Sequence, residues 1–502
     1  MQQLPPQFKK DFSSGMVTNV NESILPEGTV ALGMNVDFDE VTGAAVSRLG
    51  TGVVNAQVVD GKTCNGLHNF RDTVGSGSKL FAVFNVANDS SASIYDAESG
   101  SASLASDTAS KKTYFLTFLD SCLRLNGTDA PKAWNGSSWI TTGGAFDLAN
   151  LPGTAEPKYC IEWQDRVYVA GDTSNPDKVY YSSTPTAGAI SWTSGNGTVD
   201  IEPEDGGGGI TGFGKVPGYV LVFKERSLKR WNFDSAFPET LINIGTSSQW
   251  SVVNVGGLCF FYSASSKSTK GFYVTNGDRP IPISHQRDNG KQIKKWIDAI
   301  PTTYDDDVSG WGTENYVYWS IGDVTVDGVA YTNVVLKYNY RLDQWSVRSY
   351  PSEFRVFSSF VTSSDNVIVA GDDDGCVIQL DKASTYTDYN AATGSTLPIN
   401  WIVQLQEEKF GFNQVKEITD RIIVNSREAE GTRLEIGINP QKNTESKLIV
   451  FGEVESPVAE MPVNEAIRGN FFNIVLKGAQ TGGRMTLKEV EFPSVIVTEN
   501  YT

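Results

Sequence analysis

The sequence predicts an almost all-β protein, a β-propeller of six to eight blades followed by a C-terminal β-sandwich-like domain. Three observations carry this reading. Short alternating runs rich in Val, Ile, Tyr, Phe and Trp recur along the chain and are cut by Gly, Asn, Asp and Ser. The runs pair into hairpin units that begin near Cys64, Lys112, Lys158, Ile210, Trp250, Gly310 and Phe354, a spacing of roughly 40–60 residues that suits propeller blades. Helical periodicity is scarce, and 48 Gly against only 5 Met suit many tight turns between short strands. A set of face-packed sandwiches is the competing architecture.

Residues 1–50 read as a leader carrying one hairpin. Its arms are Met34–Asp39 and Ala44–Arg48, turned at Glu40–Gly43, and it either closes the propeller or pairs with the terminal domain. Residues 51–385 read as the propeller. Within it Tyr114–Leu119 pairs with Cys122–Leu125, Arg166–Ala170 with Lys178–Ser182, and Tyr219–Lys224 with Ser227–Phe233; Tyr316–Ile321 pairs with Val334–Tyr340, and Val367–Ala370 with Cys376–Leu380. Two units share a grammar of strand, turn, Tyr-bearing strand and Trp, Val167–Trp192 and Val317–Trp345. The Ser-, Ala- and Asp-rich segment Ala87–Ser110 reads as a mobile hairpin tip or insertion. Gly290–Ile300 is the best helix, with Ile293, Trp296, Ile297 and Ile300 on one face, Asp288 or Asn289 as cap, and Pro301 as stop. Residues 386–398 read as a linker. Residues 399–502 form the terminal domain, with strands at Asn400–Gln406, Lys416–Asn425, Arg433–Asn439, Lys447–Gly452, Asn470–Leu476 and Met485–Phe492.

Composition excludes several function classes. The chain has 502 residues, 39% hydrophobic and 20% charged, so it can bury large cores and does not read as disordered. Its formal net charge of −18 repels phosphate backbones, and no Lys/Arg block offers a duplex clamp. Acidity that serves solubility alone is the plainer account. Cys64, Cys122, Cys160, Cys259 and Cys376 form no C-x-x-C pair, which predicts reduced, mostly buried thiols in a chain made in a reducing cytoplasm. MQQLPPQFKKDF contains no apolar stretch, and the longest apolar run, Leu258–Tyr262, is far too short to span a bilayer, so a soluble chain without a secretory signal or membrane segment is expected. Asn126–Thr128 and Asn196–Thr198 read as Asn-Gly turns.

The search for chemistry predicts no catalytic, cofactor-binding or metal residues, no cofactor, and no enzyme. His68 and His285 are the only 2 His, and neither sits in a metal-ligand or triad pattern. No nucleophile elbow or phosphate loop occurs, and Gly206–Gly209 follows Glu202, Glu204 and Asp205, which repel phosphate. The runs Asp305–Asp306–Asp307 and Asp372–Asp373–Asp374 read as turns, since consecutive side chains diverge; a cation site is the alternative. Trp134, Trp139 and Trp311 read as blade core, with sugar stacking the alternative. Paired carboxylates for glycoside hydrolysis meet in space rather than in sequence. A propeller-type polysaccharide-degrading enzyme and a receptor-binding module therefore stay open as rival readings.

Several segments resemble the propeller-bearing tail nozzle, tail hub or DNA-stabilisation proteins of short-tailed, podovirus-like bacteriophages. The leader Phe12–Thr51 has their Gly-Met, Leu-Pro-Glu-Gly, Asn-Val-Asp-Phe and Arg-x-Gly-Thr elements, with Leu49 where a Pro is frequent. Asp165–Trp192 resembles their Arg-Val-Tyr-Val-Ala-Gly-Asp unit, and Asp205–Trp231 their acidic-Gly-Gly segment before Val-Phe-Lys-Glu. Trp401–Arg427 and Arg468–Val490 resemble their terminal β-domain. The resemblance implies a structural virion protein of the tail, a homo-oligomeric ring, expected as a hexamer. Such a ring belongs to the head–tail connector complex, against the adaptor and portal and near fibres, spikes or a needle. It conducts and retains genomic DNA before ejection, with transient, non-specific DNA contact.

Overall fold

A computed structural model describes residues 2–498 apart from 10, 19–27, 40, 55–56, 74–77, 87, 101, 153–155, 233–237, 286–291, 362–364, 409, 411–414, 428–431, 441–446, 454–457 and 464–465. Seven four-stranded antiparallel blades follow one another from Cys64 to Gln379. Their first strands are Cys64–Phe70, Tyr114–Phe118, Tyr159–Trp163, Ile210–Val216, Val253–Val255, Ser309–Gly312 and Phe354–Val361. Each of these packs against the next, and the seventh returns to the first, so they form a closed ring around an axis. The expected propeller is present, and its blades start within a few residues of the expected positions.

Blade cores arise from the alternation of the strands. In blade 4, Val220, Leu221, Val222 and Phe223 are all buried because both faces of the second strand meet neighbouring blades. The two Trp residues of the shared grammar do equivalent work. The Trp192 indole N–H donates to the Phe146 carbonyl (2.8 Å) and that of Trp345 to the Ile283 carbonyl (3.3 Å), each tying its blade to the tail of the preceding one.

Two segments differ from expectation. Ala87–Ser110 is no loose tip: Ala92–Asp96 and Ser103–Asp107 are the two outer strands of blade 1, and every residue of Ala92–Asp96 is buried. Ile94 and Tyr95 are the bulky core residues of the first strand, but they stand side by side among Ser, Ala and Asp, so the run lacks the alternation that marks a strand in sequence. Residues 386–398 are no linker either. Thr387–Asn390 and Ser395–Gln404 pair as a hairpin, and the second strand continues into the terminal domain. The helix is shorter than its periodicity suggests, Lys294–Ala299, with Trp296 and Ile297 buried; the proposed caps lie outside the described residues.

The leader and the terminal region fold together. The leader hairpin pairs Val36–Phe38 with Ala45–Ser47, and the second arm joins the terminal strand Thr486–Phe492. The leader strand Leu32–Met34 sits between blade 6 and the terminal sheet. It runs parallel to Gln344–Ser349 on one side and antiparallel to Ser395–Gln404 on the other, merging both into one ten-stranded sheet. Gly52–Val53 pairs with Val377–Gln379 and supplies the outer strand of blade 7. The opposing terminal sheet runs Val458–Pro462, Arg421–Arg427, Thr486–Phe492 and then the leader hairpin. Trp401, Val403, Ile436 and Leu476 face Ile422, Val424 and Val490 in a core continuous with Phe260, Trp319 and Trp345 of blades 5 and 6. The terminal domain is therefore a sandwich that shares its core with the propeller, where the sequence suggested a separate unit.

Gly50 marks how tightly the leader is seated, because a Cβ there would overlap the Thr387 carbonyl. Gly50→Ala is expected to lower stability in chemical denaturation by more than about 2 kcal/mol. Gly61→Ala, at φ 60 with nothing within 4 Å, should cost only about 1–2 kcal/mol of backbone strain.

Candidate functional site

The chemistry-bearing residues gather in two places, a charged seam under the leader and a ring of acidic turns at the start of the first strands. The seam is built on Arg48, which ends the second arm of the leader hairpin. Its guanidinium donates to both carboxylate oxygens of Asp388 (2.8 and 2.5 Å), to Asn35 Oδ1 (2.9 Å) and to the Ser349 carbonyl (2.9 Å), and lies over the Tyr350 ring at 4.3 Å. Beside it Arg348 of blade 6 bridges Asp381 (2.8 and 2.9 Å) and Asp37 (3.0 and 3.1 Å), and Lys337 donates to Asp37 at 2.7 Å. Arg48 and Arg348 are fully buried. Burial alone would raise the Asp37 carboxyl, but the charges and hydrogen bonds of Arg348 and Lys337 outweigh it and hold Asp37 well below the usual carboxylate range. The seam thus ties the leader, blade 6, the exit from blade 7 and the hairpin at Asp388 into one polar knot.

The leader motif places each of these groups. Asn35 takes a left-handed turn (φ 54) between the bridging strand and the hairpin, and its side-chain oxygen also accepts from the Ser349 backbone N–H at 3.0 Å. Gly15 (φ 75) lies against the backbone of Gln344 and Trp345, where a Cβ would crowd it. The motif that reads as a family signature therefore works as a packing signature. Sequence inspection missed the ion partners because Arg48 and Asp388 are 340 positions apart.

The acidic turns are structural. Asp305 accepts from Tyr262 (2.6 Å) and pairs with Lys270 (2.9 Å). Asp307 pairs with Lys112 of the blade 2 entrance (2.7 Å) and with Arg355 of blade 7 (3.1 Å). Ser248 donates to the Val308 carbonyl at 2.8 Å. Residues 302–308 are thereby tied to blades on several sides of the axis and cover one end of it.

Asp372 and Asp172 occupy matching turns, Val369–Asp372 and Val169–Asp172, each spelling Val-Ala-Gly-Asp. Asp172 Oδ1 accepts from the Ser174 N–H (2.8 Å), and its Oδ2 accepts from the Tyr180 hydroxyl (3.2 Å). Asp372 Oδ1 accepts from the Cys376 and Asp374 N–H groups (2.7 and 3.2 Å), but Oδ2 is buried without a hydrogen-bond partner. Burial pushes this carboxyl up to about 8, with the charges of Asp373 and Asp374 adding to it and the Cys376 N–H opposing. Asp373 is pushed up to about 6 by burial and by the charges of Asp374 and Glu353.

The remaining candidates are absorbed by packing. His285 is buried with its ring nitrogens 3.2 Å from the Tyr273 hydroxyl and 3.1 Å from Ser284 Oγ. His68 Nε2 lies 2.7 Å from Thr117 Oγ1, and its ring stacks on Phe115. Burial lowers both imidazoles to about 4, so both are neutral at neutral pH. Asp205, before Gly206–Gly209, neutralises the buried Lys224 (2.9 Å) and Lys229 (2.7 Å), and Glu202 pairs with Lys229 (2.5 Å). Trp134 and Trp139 pack on Phe81 between blades 1 and 2, whereas Trp311 lines the axial cavity. All five Cys are free thiols, four of them buried. Asn126 Oδ1 accepts from the Thr128 and Asp129 N–H groups, closing an Asn-Gly turn. Among the described residues no group of three or more His, Cys, Asp or Glu is placed to hold a metal, and no helix is long and apolar enough to cross a membrane.

No protein-family model matches the chain, and comparison with curated proteins finds no match. Among solved structures the chain is similar to the AfRom2 CNH domain, with TM-score 0.38, 10% identity, and coverage of 66% of this chain and 99% of that one. It is also similar to the extracellular domain of the putative one-component system BT4673 from B. thetaiotaomicron, with TM-score 0.43, 11% identity, and coverage of 92% and 62%. A third is Hsv2 of Kluyveromyces lactis, with TM-score 0.27, 9% identity, and coverage of 54% and 82%.

Arg48→Ala leaves Asp388 buried and unpaired, and is expected to destabilise the protein by about 3–5 kcal/mol, while the paired change Arg48→Met with Asp388→Leu should cost less. Denaturation of the three variants checks this. For Asp372, a folded value above the unfolded value of roughly 3.9 means that its contribution to stability is full below that value and is lost as pH rises through about 8. Asp372→Asn should therefore gain stability over the parent as pH rises from 5 to 9, by on the order of a few kcal/mol. Thermal unfolding at both pH values measures it.

Proposed function

We propose that the chain is a structural virion protein of a short-tailed phage tail, working as one copy of a homo-oligomeric ring, expected as a hexamer, that conducts and retains genomic DNA. The observation that carries this reading is the leader, where the segments resembling the nozzle and hub proteins are also the segments that fasten propeller to terminal sandwich. A ring under packaged-DNA pressure needs stiff subunits, and closed blades with a shared core and few free strand edges supply them. The propeller axis is not the DNA path on this reading. Its cavity of about 500 Å³ is far too small for a duplex, so the lumen lies between copies.

The net charge of −18 fits such a lumen, because carboxylates let DNA slide without holding any phosphate register. The partners on this reading are further copies of the chain, the head–tail adaptor and portal, and fibres, spikes or a needle. The ring does its work by assembly and without catalysis, in the virion tail. The purified chain should stay a monomer or weak oligomer alone and close into a ring when the adaptor is present, since a partner that binds only the ring shifts the equilibrium. Cryo-electron microscopy of virions should find the ring below the adaptor, and particles lacking the protein should fill with DNA and then leak it. Particles that lack it and still retain their genome stably would overturn the reading.

A further inference from the structure

The ring of first strands encloses an axial cavity of about 500 Å³ to which all seven blades contribute, a volume within the range of small-molecule sites. Its construction is asymmetric. One end is covered by residues 302–308, held by the ion pairs of Asp307 to Lys112 and Arg355. The other end opens beside Lys215 and Asn254, where a second hollow continues between the hairpin turns of blades 3, 4 and 5.

The walls differ in character from the rest of the molecule. In a chain of net charge −18, none of the described lining residues is Asp or Glu. Flat rings line one arc of the wall, with Phe115 stacked on His68 at 5.5 Å on blades 1 and 2 and Trp311 and Phe357 on the adjoining blades 6 and 7, and Trp250 lines it from the blade 5 side. Gly310 and Gly312 let the blade 6 wall pack closely, since a Cβ would meet Trp319 at the first and Val253 of blade 5 at the second.

Ser309 is 1% exposed, lines the cavity, and its hydroxyl has no hydrogen-bond partner. Two donors stand at the open end. Asn254 accepts from the Lys215 backbone N–H at 2.8 Å through its oxygen, which points its amide NH₂ elsewhere. The Lys215 ammonium stands at the open end with only a loose pairing to Glu162 at 3.4 Å.

We infer that this cavity is a binding site for a flat aromatic ring of one or two fused cycles, neutral or singly anionic, that presents carbonyl or carboxylate oxygens as acceptors. Aromatic walls favour a planar ligand. The Lys215 ammonium and the Asn254 amide, in a lining without carboxylates, favour a ligand that accepts, and the aromatic walls offer a polyol little to bond. The inference is independent of the ring reading, since it concerns the interior of a single propeller.

Uracil, xanthine and benzoate are the probes, with glucose as the contrasting polyol, titrated into the full-length protein by calorimetry and saturation-transfer NMR. At least one planar probe should bind saturably at one site per chain, and glucose should not. Trp311→Ala should weaken that binding about tenfold or more, and Cys160→Met, which narrows the cavity from blade 3 without changing its charge, should weaken it too. Thermal unfolding of both variants establishes that they are folded, and either one suffices for the comparison. A cavity that takes up none of the three planar probes holds water only and overturns the inference, as does binding equally tight in the folded variants.

Discussion

Everything else in this fold depends on one short strand, Leu32–Met34, being held between two sheets that it joins edge to edge. Blade 6 ends in an edge strand, Gln344–Ser349, and the terminal sheet ends in another, Ser395–Gln404. Each exposes a row of unpaired backbone groups that would invite pairing with other chains. The leader satisfies both at once, parallel on one side and antiparallel on the other. Gly33 permits this, because a Cβ there would collide with the Phe38 ring that folds back over the strand. Two cores that could each have been closed on their own thus become one.

The buried ions fix where that strand goes. Arg48 and Arg348 give no cheap stability, since taking a guanidinium and its carboxylate out of water costs about as much as their attraction returns. They do penalise every other register. A slip of the leader by one residue would turn Asp37 away from Arg348 and Lys337 and leave cations unpaired in the core. The same economy recurs at Lys224 and Lys229, which Asp205 and Glu202 neutralise within blade 4. Among the described residues more cations than acids are buried, Arg48, Arg124, Arg348, Lys224, Lys229, Lys337 and Lys416 among them. The exterior is consequently at least as acidic as the composition suggests, and the proposed lumen would inherit that acidity.

The legible part of the fold was the part made of bulky alternating side chains. Blade entrances stood out because Tyr, Phe and Val there alternate between neighbouring blades, and the leader hairpin because its arms flank a Thr-Gly bend. The illegible part failed for identifiable physical reasons. Ala92–Asp96 and Ser103–Asp107 have few bulky residues, Ile94, Tyr95 and Leu104, among Ser, Ala and Asp, so composition made them look like loop. Thr387–Asn390 has its partner a few residues on, but Ala391, Thr393 and Gly394 at the bend masked the strand pair as a linker. Gly52–Val53 closes blade 7 from the far end of the chain, a pairing no local pattern announces. The seam was the least visible, because Asn35, Asp37, Arg48, Arg348, Asp381 and Asp388 are ordinary polar residues until the fold assembles them. Asp372 shows the limit of motif reading, since it shares its Val-Ala-Gly-Asp turn with Asp172 but lacks the Tyr180 hydroxyl and Asn175 amide that satisfy Asp172 Oδ2.

The central claim is that leader, propeller and terminal sandwich form one cooperative body. Differential scanning calorimetry of the full-length protein tests it most directly. The account predicts a single transition in which the calorimetric and van't Hoff enthalpies agree, the signature of all-or-none unfolding. Two resolved transitions, with the terminal sandwich melting apart from the propeller, would contradict it.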